Sequence, residues 1–188
     1  MGATDDDNAL ISQCLKGDHA AFESLIRMHQ RMIHSLTFRM TGSLADGEDL
    51  AQQTFLRAYE QLGSFRGGAK FSSWLYRIAV NTCLNWRRRE MRRRQLHAAW
   101  ADNSSRQRAE PAHPADENDL GRRVQEALMK LPAKQRAAMV LTVYDGFNHA
   151  EAARILGCSE TTVSWRIFAA RNKLKRWLKP AARGSPGR

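Results

Sequence analysis

The sequence predicts an all-α protein: two small helical domains joined by a flexible linker. Three observations carry that prediction. Apolar residues recur at three- and four-residue spacing along most of the chain, the period of a helix that buries one face. Glycine and proline number only 12 and 5 in 188 residues, too few for the frequent turns of an all-β fold. The helical pattern then dissolves over residues 98–120, where Asp, Asn, Ser, Arg, Pro and Ala follow one another without apolar period, the composition of a tether.

The elements follow in order. Residues 19–38 place Phe22, Leu25, Ile26, Ile33 and Leu36 on one face, with Asp18 positioned as a cap. The next helix is expected to begin at Asp46, capped by that side chain, with Asp49 reaching back from the third position. Its buried stripe is Ala51, Phe55, Ala58 or Tyr59, and Leu62, and the run Gly63-Ser64-Phe65-Arg66-Gly67-Gly68 breaks it. A third helix is expected from about Ser72, with Trp74, Leu75, Ile78, Ala79, Thr82, Cys83 and Trp86 inward; it ends in Arg87-Arg88-Arg89 and Arg92-Arg93-Arg94. Four shorter helices are expected at about 121–130, 133–145, 148–156 and 160–178. The expected division is therefore 1–97, a linker at 98–120, and 121–188.

The charge is unbalanced and local. The net charge is +11 and the isoelectric point about 10.3. From Glu160 to the C-terminus eight Lys and Arg face one acid, whereas residues 98–120 hold five acids against two Arg. A concentrated basic segment points to a polyanion, and nucleic acid is the commonest one. Cys14, Cys83 and Cys158 lie far apart without CxxC spacing, which argues against a disulfide framework or a zinc site; each is expected to pack as a small hydrophobe. The N-terminus opens on Asp5-Asp6-Asp7, unlike a signal peptide, and no apolar run approaches 18 residues. The expectation is a cytoplasmic protein without membrane insertion. Six scattered His give no metal-binding or catalytic constellation, so no cofactor, metal, small-molecule substrate or enzymatic activity is expected.

Residues 148–173 fit a helix-turn-helix. Ala153 is small where the two helices must approach, Gly157 suits a turn of positive φ, Ser159 can cap the second helix, and Val163 anchors it. The second helix is expected to expose Thr161, Thr162, Ser164, Trp165, Arg166, Phe168 and Arg171 to a DNA major groove, where hydroxyls bond base edges or phosphates and Arg pairs with guanine. An ordinary helical hairpin with a glycine turn has the same outline; the basic surplus of the segment favours DNA.

The N-terminal half narrows the reading. Asp46-Gly47-Glu48-Asp49-Leu50-Ala51-Gln52-Gln53-Thr54-Phe55 resembles the segment of bacterial RNA polymerase sigma factors that docks on the polymerase clamp. The run from Phe65 through Arg66, Gly67, Lys70, Phe71, Trp74 and Arg77 to Asn81 is similar to their promoter-melting segment. Leu131-Pro132 with Arg136, Glu151-Ala152-Ala153, Thr162-Val163 and Ala170-Arg171 resemble their second DNA-binding domain. The likeness is to the extracytoplasmic-function class and spans roughly residues 8–96 and 120–178. It implies that Glu48, Asp49, Gln52 and Gln53 bind core polymerase. Phe65, Arg66, Gly67, Lys70, Arg77, Asn81, Arg87 and Arg88 would read a melted −10 box. The seven residues named on the second helix of the helix-turn-helix would read a duplex −35 box. Core RNA polymerase, promoter DNA and an anti-sigma factor are the implied partners.

The residues suit those roles physically. An acidic, amide-rich face repels DNA and suits a protein surface bearing Arg, although a merely solvated face would look alike. Aromatic, glycine and basic residues in one loop can stack an extruded base and hold phosphates; for Phe65, Phe71 and Trp74 core packing is the other reading. Asn81 offers both a donor and an acceptor to a base edge. Six nearby Arg repel one another unless an anion lies beside them. Many relatives carry Lys or Arg at the place of Ser164, Ser at Trp165 and a basic residue at Ala169, so this recognition helix is less basic and more aromatic. The competing reading is a stand-alone helix-turn-helix transcriptional regulator, which would bind its promoter tightly without polymerase.

Overall fold

A computed structural model of the protein describes residues 3–101 and 119–178, which form eight α-helices and no strand. The N-terminal half holds α1 (Ala3–Leu15), α2 (His19–Thr41), α3 (Leu44–Gln61), a single 3-10 turn at Leu62–Ser64, and the long α4 (Phe71–Ala101). Asp18 caps α2 as expected, its carboxylate accepting from the amides of Ala20 and Ala21 at 2.9 and 3.3 Å. The start of α3 differs from the expectation. Ser43, not Asp46, is the cap: its hydroxyl accepts from the Asp46 amide at 3.2 Å, and the helix opens at Leu44. Ser43 leaves α2 in extended conformation, so it is the first eligible acceptor the chain offers, and Asp46 falls inside the first turn.

Leu25, Ile33 and Leu36 of α2, Leu50, Ala51, Phe55 and Ala58 of α3, and Leu75, Ala79, Val80 and Cys83 of α4 build the core of this half. Ala58 completes the α3 stripe; Tyr59 is exposed and meets His19 Nδ1 through its hydroxyl at 2.9 Å. Trp74, Ile78 and Trp86 are half-buried, while Thr82 is fully enclosed. Helix α1 had no counterpart in the apolar pattern. It packs on α2 through Ile11, and Asp7 reaches His29 Nε2 at 2.9 Å with both side chains buried.

The tether expected at 98–120 lies largely outside the described residues. Its first and last residues are nonetheless helical: α4 continues through Ala101 and the next helix opens at Asp119. Alanine-rich sequence at 98–101 favours helix over a break there.

The C-terminal half holds α5 (Asp119–Lys130), α6 (Ala133–Met139), a π-helical turn at Val140–Tyr144, α7 (His149–Leu156) and α8 (Glu160–Leu178). The helix expected over 133–145 is thus α6 widened in its last turn. A reciprocal cap opens α7: Asn148 accepts from the Glu151 amide at 2.9 Å and Glu151 from the Asn148 amide at 3.0 Å.

The two halves pack against each other. Arg136 of α6 donates to the Met40 carbonyl and Gln125 to the Phe38 carbonyl, both at the end of α2. Tyr76 of α4 meets Phe147 edge-on at 4.8 Å, and the Arg39 guanidinium lies 4.5 Å over the Tyr144 ring. Gly42 makes the approach possible: a Cβ there would stand 2.8 Å from the Met129 side chain, and its φ of +78° already favours glycine.

Candidate nucleic-acid interface

Helices α7 and α8 form the expected helix-turn-helix. Gly157 turns the chain with φ 60° and ψ 45°, a conformation in which other residues are strained. Ser159 Oγ accepts from the Thr162 amide at 3.2 Å and so caps α8. Val163, Ile167 and Ala170 are buried against the domain. With that face fixed, Thr161, Trp165, Phe168 and Arg171 project into solvent. The other three expected residues do not stand free. Thr162 is half-buried beside the Ser159 hydroxyl at 2.9 Å, Ser164 Oγ meets His149 Nδ1 at 2.9 Å, and half-buried Arg166 donates from Nη1 to Cys158 Sγ at 3.4 Å. Thr162, Ser164 and Arg166 flank the buried stripe of Val163, Ile167 and Ala170 on the helix perimeter. The same exposed face adds Asn172, Lys175 and Arg176, which follow Phe168 by four, seven and eight residues and so share its side of the helix.

Around the start of α4, Phe65 is half-buried and packs edge-on against Phe71 and Trp74, each at 5.6 Å between ring centres. Phe71 belongs to the core. These rings make a platform, and Arg66, Gly67 and Lys70 project from the loop beside it. Arg77 and Asn81 are exposed one turn apart on α4, Arg88 lies further along, and Arg87 is half-buried. Arg93 and Arg94 ion-pair with Glu90 at 2.8 and 2.9 Å; these contacts hold the Glu90 carboxyl below its ordinary range. The basic end of α4 is therefore partly neutralised.

On α3, Glu48, Asp49, Gln52 and Gln53 are all exposed. Leu56, one turn beyond Gln52, is 61% exposed and was not expected there. With Phe22, Ile26, His34 and Tyr59 it lines an apolar groove of about 500 Å³ that adjoins this face.

Two further features concern electrostatics. Burial pushes the Cys83 thiol up to about 12; Cys14 and Cys158 are half-buried, and all three cysteines are free. Between the halves, burial raises the Asp145 carboxyl to about 6 against the opposing pull of Arg39 and of the Tyr76 hydroxyl that donates to it. Asp145 Oδ2 is enclosed without a hydrogen-bond partner. Among the described residues no group of three or more His, Cys, Asp or Glu converges as for a metal, and no helix is long and apolar enough to cross a membrane.

Residues expected at the two DNA boxes adjoin in this arrangement. Arg77 faces Arg154, Ser159 and Glu160 across an open cleft of about 800 Å³.

Comparison with known proteins agrees with this architecture. Residues 25–93 match the Sigma-70 region 2 family and residues 121–174 the Sigma-70 region 4 family. The chain is 36% identical over 176 residues to the ECF RNA polymerase sigma factor SigM of Mycobacterium tuberculosis, spanning 92% of this chain and 84% of SigM. It is 30% identical to the RNA polymerase sigma-H factor of Pseudomonas aeruginosa over 97% of this chain and 99% of that protein. Among solved structures, CnrH in complex with the cytosolic domain of CnrY superposes with a TM-score of 0.67 at 29% identity, over 92% of this chain and 97% of CnrH. RpoE in complex with the anti-sigma factor NepR from Bartonella quintana superposes with a TM-score of 0.65, also at 29% identity, over 84% and 96% of the two chains. The chain belongs to the extracytoplasmic-function sigma factors, non-enzymatic initiation factors that direct promoter-specific transcription.

Proposed function

We propose that this sigma factor divides its work among three surfaces. The face of α3 bearing Glu48, Asp49, Gln52 and Gln53 docks on core RNA polymerase. The platform at Phe65, with Arg66, Gly67, Lys70, Arg77, Asn81, Arg87 and Arg88, takes the −10 box as melted single strand. The exposed stripe of α8 reads the −35 box as duplex. The domain division at 1–97 and 121–188 follows from the same reading. The observation that carries it is the sign of the surfaces: an acidic, amide-rich face on α3, unsuited to DNA, and basic, aromatic or amide side chains at the other two. Stacking on aromatic rings suits unpaired bases, whereas a capped helix with a solvent-facing stripe suits the major groove. An anti-sigma factor is a further partner; the solved complexes of CnrH and of RpoE support that assignment.

Run-off transcription with core polymerase, with and without the protein, tests the reading. Product should require the protein. Asp49→Lys combined with Gln52→Lys should reduce both product and co-elution with core on gel filtration, with circular dichroism unchanged, because both side chains are exposed. Undiminished co-elution would show that α3 is not the docking face, and a lack of product with the wild-type chain on every promoter would overturn the function itself.

A further inference from the structure

Trp165 and Phe168 are the aromatic feature of α8: Phe168 has no hydrogen-bonding group and Trp165 only its indole N–H, so most of their exposed surface is apolar. They are 62% and 66% exposed, stand three residues apart on one face of the helix, and lie in the half of α8 nearest the turn, which a helix-turn-helix presents to base edges. The rest of that face is polar or cationic: Thr161, Arg171, Asn172, Lys175 and Arg176. Glu160 is the one acid in the α8 sequence.

The charges select the occupant. A second copy of this chain would set its own cations against these, at a cost in repulsion. A polyanion is complementary to them, but a phosphate gains nothing from a phenyl ring. Duplex DNA presents both: phosphates at the groove edges, and in the major groove one apolar substituent, the C5 methyl of thymine. Facing a cytosine amine or a guanine carbonyl, Phe168 would only strip water from a group it cannot bond. We infer that Trp165 and Phe168 specify thymine in the −35 box by packing against C5 methyl groups, flanked by the cations that hold the backbone. This rests on the assignment of α8 to duplex DNA. Three residues advance ~4.5 Å along a helix, between one and two base-pair steps of ~3.4 Å, so the two thymines belong to adjacent or next-nearest pairs, on either strand.

The test uses holoenzyme reconstituted from core polymerase and the full chain. The preferred −35 box is selected from a library randomised there, and each thymine in it is then replaced by deoxyuridine, which lacks only the methyl group. At the contacted positions wild-type holoenzyme should lose about fourfold in affinity per methyl, the effect of one buried methylene-sized group. The Trp165→Ala/Phe168→Ala variant should bind thymine and uracil boxes equally. Both rings are mostly exposed, so the variant keeps its fold. A selected box without thymine, or wild-type affinity unmoved by uracil at every position while Arg171→Ala still weakens the box, overturns the inference and leaves the duplex reading standing. If Arg171→Ala also has no effect and no box is preferred, the assignment of α8 to the −35 box fails with it.

Discussion

Arg136 is the largest of the fully buried side chains, and its partners are carbonyl oxygens. Nε donates to Leu128 at 2.8 Å, Nη2 to Met129 at 2.6 Å and Leu131 at 3.2 Å, and Nη1 to Met40. Leu128 and Met129 belong to the last turn of α5 and Leu131 follows it directly, at the helix end where the dipole favours a cation. The fourth belongs to α2, so one guanidinium both caps α5 and ties the halves together. Burial lowers its ionisation to about 10, which still leaves it charged at neutral pH. Arg136→Ala strands several buried acceptors and should lower unfolding free energy by on the order of 3 kcal/mol, at ~1–3 kcal/mol for each group left unpaired. Arg136→Lys should recover only part, because an ammonium lacks the planar fork that spans four oxygens. Urea denaturation followed by circular dichroism checks this; a loss below ~1 kcal/mol would show that water replaces the guanidinium. In the sequence Arg136 is legible only as a residue matching the family's, because neither periodicity nor charge distinguishes a buried Arg from an exposed one. Asp7 and His29 were missed for a related reason: a polar pair 22 residues apart leaves no local trace.

At the scale of elements, helix positions were legible wherever an apolar stripe met a cap. Asp18 at α2, Gly157 and Ser159 around the turn, and Val163 inside α8 all stand as the spacing predicted. Helix α1 was not legible because acids crowd its first half and Leu10, Ile11 and Cys14 are confined to the second. Ser43 and Asp46 are both good caps, and the path of the chain out of Gly42, not their chemistry, decides between them. The packing of α4 on the loop before α7 was equally hidden, and it carries a pH dependence. The Asp145 carboxyl sits against Tyr76 and Arg39 and titrates at about 6, above its ordinary 3.8. A carboxyl raised in the folded state favours that state when protonated. The stabilisation is complete below about pH 4 and is lost as pH rises through about 6. Urea midpoints of the wild-type chain should therefore fall more steeply between pH 4.5 and 7.5 than those of Asp145→Asn. Parallel pH profiles for the two proteins would contradict a buried, half-unsatisfied Asp145.

At the scale of the whole molecule, the packed halves set a constraint on promoter binding. Arg77 and the start of α8 share one cleft, whereas −10 and −35 boxes are centred about 25 base pairs apart, ~85 Å along the duplex. The chain from Ala101 to Asp119 makes 18 residue steps and reaches at most ~60 Å. With roughly 13 Å for the radius of each half, both boxes come within reach only when that segment is drawn nearly straight and the contacts of Arg136, Gln125, Tyr76 and Arg39 across the halves are released. Ordering the segment costs entropy, and the free chain has nothing to drive strand separation at the −10 box. On the proposed division of work, core polymerase would supply both a surface for the acidic 98–120 segment and a clamp for the melted strand. Salt titration of binding to fluorescent promoter and scrambled duplexes, with and without core polymerase, decides whether the chain works this way. Alone, the protein should bind both duplexes weakly, with a steep and equal loss on added salt as phosphate contacts are screened; with core polymerase, the promoter should be strongly preferred and the preference should survive salt. Strong promoter discrimination by the protein alone would contradict a division of labour between sigma factor and polymerase.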